Sequence, residues 1–99
     1  MTKKELSNEI FRPTPYFLRM EREVSKFIGN THTTITERRG IKLNKKTGQL
    51  VPCGKSTYVV ETIVWLGDDN TWREKADYRE FSSFAPAAAF YKEFLASVQ

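Results

Sequence analysis

Apolar side chains recur at three- and four-residue steps early in the chain, at Phe17, Met20, Val24, Phe27 and Ile28, with Arg19, Arg22, Glu23 and Lys26 between them. That spacing is the signature of one helix face, so an amphipathic helix is predicted from Thr14 to Ile28. Thr14 before Pro15 supplies a capping hydroxyl and a first-turn proline, and Gly29 with Asn30 supplies the stop. From Thr31 to Thr36 the chain turns β-branched and polar, which predicts a strand at the sheet edge with at most one buried face. Ile41 to Asn44 and Gln49 to Val51 flank Lys45-Lys46-Thr47-Gly48, a hairpin in which Gly48 takes the positive φ of a bulged turn.

Between Tyr58 and Leu66 both alternating sets are apolar, with Val59, Ile63 and Trp65 on one side and Tyr58, Val60, Val64 and Leu66 on the other. A strand apolar on both faces belongs in the middle of a sheet. Gly67-Asp68-Asp69-Asn70 reads as a turn, and Thr71 to Phe81 as a charged return strand. Pairing Gly67 with Asn70 sets Trp65 opposite Trp72 and Val59 opposite Tyr78. Arg73, Lys75 and Arg79 then share the other face with Tyr58, Thr62 and Asp77. A closing helix starts near Ser83, with Phe84, Ala87, Ala88, Tyr91, Phe94, Leu95 and Val98 as its apolar stripe and Pro86 tolerated in its first turn.

The predicted fold is α+β: an antiparallel sheet of about four to five strands with an N-terminal and a C-terminal helix. Pro13 and Pro15 interrupt any longer element at the start, so residues 1–13 form a flexible or partly helical arm and residues 14–99 a single domain. At 99 residues the chain has material for one core, and an aromatic content of 13% argues against disorder. No apolar run reaches the roughly 18 residues of a membrane span, and Met1-Thr2-Lys3-Lys4 leads into charged sequence rather than a signal peptide. The expectation is a soluble cytoplasmic protein without a membrane partner. Its single cysteine, Cys53, makes no internal disulfide and suits a reducing compartment.

Charge is unevenly spread. Residues 1–55 hold 12 basic and 5 acidic side chains, whereas residues 56–99 hold 4 basic and 7 acidic. The densest run, Arg38, Arg39, Lys42, Lys45, Lys46 and Lys55, is punctuated by Gly40, Gly48, Pro52 and Gly54 and reads as a positive hairpin tip and its approach. A solvated edge accounts for such a run; so does an anionic partner.

Catalytic chemistry finds little support. One His and one Cys on different elements do not make a zinc site, and a Cys53–His32 nucleophile pair has no sequence evidence of proximity. Turn geometry already explains Asp68 and Asp69, so they need no acid–base role with Glu61 or Glu74. The spacings of Gly40, Gly48 and Gly54 match neither the P-loop nor the dinucleotide fingerprint. No metal or cofactor is expected. The predicted function is therefore non-enzymatic binding, with single-stranded RNA or DNA as the favoured ligand. Its expected site is Arg38, Arg39, Lys42, Lys45, Lys46 and Lys55, joined by Tyr58, Arg73, Lys75 and Arg79 on a sheet face, where cations beside a ring suit phosphates and bases. The alternative is a protein-binding inhibitor or adaptor, of the accessory kind carried by phages and mobile elements, docking on an acidic surface of a host protein.

Overall fold

A computed structural model describes the backbone of residues 3–66 and 72–97 and the side chains of residues 3–66 and 77–96. Helix α1 (Lys3–Ser7) precedes strands β1 (Arg12–Pro13), β2 (Met20–Ile28), β3 (Thr31–Asn44), β4 (Gln49–Leu66) and β5 (Trp72–Phe81), and helix α2 (Phe84–Ser97) closes the chain. The strands form one antiparallel sheet in sequence order, β1 to β5. Each strand therefore pairs with its neighbour in the chain, and no crossover is needed. Among the described residues, no helix is long and apolar enough to cross a membrane.

The α+β reading holds, with strands dominating, but the predicted helix from Thr14 to Ile28 is strand β2 preceded by a tight turn at Pro15–Phe17. The physical reason is a spacing that satisfies two periods. Met20, Val24 and Ile28 stand four apart, which serves a helix face and equally every second inward position of a strand. Gly29 and Asn30, expected as a helix stop, are instead a two-residue hairpin between paired Ile28 and Thr31, with Gly29 at the positive φ of 60° that such a turn requires. The Thr-rich segment is likewise not an edge. Strand β3 has β2 on one side and β4 on the other.

One sheet face is covered by α2. Ile35 and Val60 are directly opposed, and both pack with Ala87 and Tyr91 of α2 in a fully buried cluster. Val24, Tyr58, Phe81, Phe84, Phe90, Phe94 and Leu95 surround it. Tyr58 meets Phe84 edge-on at 5.7 Å, and Phe90 stands 5.6 Å from Phe81 and 4.4 Å from Phe94. Such tilted arrangements suit the ring quadrupoles. Of the predicted stripe, Phe84, Ala87, Tyr91, Phe94 and Leu95 pack on the sheet, joined by Phe90, whereas Ala88 is not in the cluster; Val98 lies outside the described residues.

Polar groups complete this layer. Thr33 and Thr62 oppose each other with their hydroxyls 3.4 Å apart, which satisfies two buried hydroxyls together. Glu37, only 6% exposed, accepts from Arg22 Nε at 2.7 Å and from Ser56 Oγ at 2.5 Å. Arg22 Nη1 also donates to the carbonyls of Ser7 and Glu9, and its guanidinium lies 4.4 Å from the Phe11 ring centroid. The arm is thereby held to the sheet, and its helix α1 buries Leu6.

The predicted β4–β5 register is corrected. A bulge shifts the pairing after Thr62, where Thr62 opposes Asp77 but Ile63 opposes Lys75, so Ala76 has no partner across the ladder. Val59 opposes Glu80 rather than Tyr78, and Trp65 opposes Arg73 rather than Trp72. The proposed turn, Gly67 to Asn70, lies outside the described residues.

Candidate functional site

Strand lengths are unequal, and this creates the site. Strand β2 begins at Met20 opposite Arg39, and β5 ends at Phe81 opposite Tyr58, yet β3 and β4 continue beyond both. Residues Gly40–Asn44 and Gln49–Cys53 pair only with each other. At about 3.4 Å per residue, this two-stranded ribbon extends roughly 17 Å past the sheet. Its tip closes as expected, with Gly48 at φ 73° and its N–H donating to Asn44 O at 2.7 Å. Asn44 Oδ1 accepts from Lys46 N, and Thr47 Oγ1 from Gln49 N, so the turn amides are met by local side chains.

The ribbon carries charge without counter-charge. Between Arg38 and Val60 the chain has six cations and no acidic residue. Lys42, Lys45, Lys46 and Lys55 are exposed. Ile41 opposes Pro52 and Leu43 opposes Leu50, so these four share one ribbon face; Leu43 is 56% exposed and Leu50 37%. At the ribbon's root, Gly54, Lys55 and Ser56 span the stretch that Arg39 alone spans on β3. Arg39 Nε donates to Gly54 O at 3.0 Å across this irregularity, and Gly54 sits at φ 75°, a region open to glycine. A cleft of about 240 Å³ beside the root is walled by Arg19, Arg38, Arg39 and Lys55, with Glu80 as its acidic member.

Arg38 is committed elsewhere. Its Nε donates to Glu21 Oε2 at 2.6 Å and its Nη1 to Tyr78 Oη at 3.3 Å. Burial disfavours its charge, but the hydrogen bonds to Glu21 and Tyr78 outweigh that and hold its pKa above the ordinary arginine value. Tyr78 in turn donates to Glu80 at 2.6 Å, a bond that raises the phenol's pKa.

Of the remaining predicted residues, Tyr58 and Arg79 share the helix-covered side of the sheet, away from the ribbon. Tyr58 packs on Phe84 beneath α2, and burial followed by the nearby Glu37 charge pushes its pKa up. Arg79, opposite Val60, lays its guanidinium 4.4 Å from the Phe90 ring centroid on the same helix-covered side. The bulge places Arg73 and Lys75 opposite Trp65 and Ile63 instead, and their side chains lie outside the described residues. A shallow depression on the uncovered face is lined by Glu21, Glu23 and Glu61 among others, and these carboxylates repel phosphate. Cys53 pairs with Gly40, eight positions along β3 from His32, a separation of about 26 Å that excludes a thiol–imidazole pair. His32 stacks flat on Phe27 at 4.1 Å. Among the described residues, no cluster of three His, Cys, Asp or Glu side chains could hold a metal; Asp68 and Asp69 lie outside them.

A loop that the helical reading concealed also adjoins the cleft. Thr14 N donates to Arg19 O at 2.8 Å, Thr14 Oγ1 donates to the same carbonyl, and Arg19 N donates back to Thr14 Oγ1. This pinned base presents Pro15, Tyr16, Phe17 and Leu18. Tyr16, Phe17 and Leu18 are 89%, 63% and 75% exposed. Tyr16 and Phe17 hold φ of 70° and 57°, a left-handed backbone that costs a bulky residue about 1 to 3 kcal/mol. The run of three large apolar residues between a proline and an arginine was the available signal, and helical periodicity absorbed it.

No family model, curated protein or solved structure matches the chain.

Proposed function

We propose that this protein is a small non-enzymatic nucleic-acid-binding module that engages phosphates through its basic ribbon and the cleft at the ribbon's root. The observation that carries this reading is the free two-stranded ribbon whose exposed Lys42, Lys45, Lys46 and Lys55 have no acidic residue between Arg38 and Val60. Phosphate neutralisation by such cations releases counterions and yields affinity that falls steeply with salt. Of the ten residues expected from the sequence, this reading assigns contacts to Arg39, Lys42, Lys45, Lys46 and Lys55, adds Arg19, and leaves Arg38 to its own ion pairs.

The competing reading, a protein-binding inhibitor or adaptor, draws support from Leu43 and Leu50, an exposed apolar pair that suits a protein surface. A titration against a labelled single-stranded oligonucleotide over a range of salt separates the two. Wild type is expected to bind with a steep salt slope, and the Lys45→Ala/Lys46→Ala double variant to lower that slope by roughly one to two while folding normally. Absence of wild-type binding at low salt rules out the nucleic-acid reading and leaves the protein partner ahead.

A further inference from the structure

We infer that Tyr16 and Phe17 are base-stacking residues, and that the ligand of the adjoining cleft is consequently single-stranded nucleic acid with unpaired bases. The inference rests on the nucleic-acid reading and deepens it by naming the residues that would tell a single strand, the form expected from the sequence, from a duplex. Two observations meet here. Tyr16 and Phe17 present rings to solvent from a loop whose ends are tied by reciprocal Thr14–Arg19 hydrogen bonds. Arg19, which closes that loop, also walls the cleft with Arg39 and Lys55. Arg19 is only loosely engaged by an acid, its Nε lying 3.7 Å from Glu21 Oε2, and nearly half its side chain is exposed.

Cations therefore begin at Arg19, two residues beyond Phe17, and continue through the root cleft to Lys42, Lys45 and Lys46. A backbone-tracking basic track beside aromatic faces is what a single strand uses, since each base offers a π-face and each nucleotide a phosphate. In a duplex, stacked neighbours cover those faces, so the rings would add nothing without unstacking a step. The left-handed backbone at Tyr16 and Phe17 also fits a recognition role, because the loop holds two largely exposed rings out at a conformational cost.

The test compares a labelled oligothymidylate, an abasic strand of the same length and a blunt duplex, each titrated with the 99-residue protein. Wild type is expected to bind oligothymidylate more tightly than the abasic strand. Tyr16→Ala/Phe17→Ala should bind oligothymidylate about ten- to a hundredfold more weakly, lose the preference over the abasic strand, and keep the wild-type salt slope. Tyr16→Phe should retain the preference. Lys45→Ala/Lys46→Ala should show the converse, a reduced slope with the preference intact. Equal wild-type binding of the base-bearing and abasic strands, or an undiminished preference in the double aromatic variant, overturns the stacking role while leaving phosphate binding standing. Wild-type binding to none of the three ligands overturns the underlying nucleic-acid reading as well. Co-sedimentation with phosphatidylglycerol vesicles through the same two rings, with no response to bases, assigns the loop to a lipid surface and likewise overturns the proposal.

Discussion

Glu37 sits where the arm, the sheet and the ribbon's root converge. Its carboxylate has two donors, Arg22 and Ser56, and Arg22 reaches on to the carbonyls of Ser7 and Glu9. Removing one member of a buried pair strands the other charge, so Glu37→Ala should cost about 3 to 5 kcal/mol in chemical denaturation. Replacing both partners with apolar residues, Arg22→Met with Glu37→Leu, should cost much less, because no charge is then left buried. The long contact from Arg38 to the largely exposed Glu80, at 3.8 Å, makes a control: Glu80→Gln removes its charge but leaves an acceptor for Tyr78, and should register at most about 1 kcal/mol. Tyrosines supply a pH test. Burial raises the pKa of Tyr91, with the Glu5 charge adding to it, and burial likewise heads the causes at Tyr58. A folded pKa above the unfolded value of about 10 means that stability is complete below that value and falls as pH rises through the folded pKa, the unfolded chain losing its protons first. Urea midpoints should therefore decline above about pH 10, and Tyr91→Phe, which keeps the ring and removes the ionisable hydroxyl, should flatten that decline.

At the level of elements, helix α2 is the lid of the core, and a single aromatic in it decides stability. Tyr91 is 1% exposed beneath the helix, whereas Lys92 points to solvent. Truncating Tyr91 to Ala should cost about 3 to 5 kcal/mol and lower the thermal midpoint sharply, while Lys92→Ala should leave it nearly unchanged. This helix was legible because Phe84, Ala87, Tyr91, Phe94 and Leu95 match a helical face and no second period. The ribbon turn was legible because Lys45-Lys46-Thr47-Gly48 offers glycine where positive φ is needed. Strand β2 was not, since its inward positions alternate Met20, Arg22, Val24, Lys26 and Ile28, and the partner that lets Arg22 face inward, Glu37, is fifteen residues away. Long-range pairing of that kind overrides local period. The candidate site shows the same division. Lysines of the ribbon follow from a charge count, whereas the register that sets Arg73 opposite Trp65 depends on a bulge at Ala76 that no local pattern marks.

Over the whole molecule, material is distributed unevenly between sheet and ribbon. Extents of 50 × 30 × 20 Å describe an elongated body; the buried apolar cluster sits under α2, and among the described residues none between Arg38 and Tyr58 is buried. The root is narrow. A Cβ added to Gly40 would stand 3.1 Å from Cys53 Sγ and 3.2 Å from the Cys53 carbonyl oxygen, so Gly40→Ala requires Cys53 to give by a few tenths of an ångström where the ribbon leaves the sheet. Partner affinity should fall in Gly40→Ala with little change in the midpoint of global unfolding, whereas Cys53→Ser, a smaller polar replacement opposite an unaltered glycine, should retain binding. The break in register at the root has a kinetic counterpart. Pairs from Gly40↔Cys53 to Asn44↔Gln49 lose no buried core when they part, so their amides should exchange with deuterium through local opening, well before those of Thr31 to Glu37, which wait for global unfolding. A ligand that closes on the ribbon must then slow exchange there first and most, and the protected amides will trace the footprint of whatever it holds.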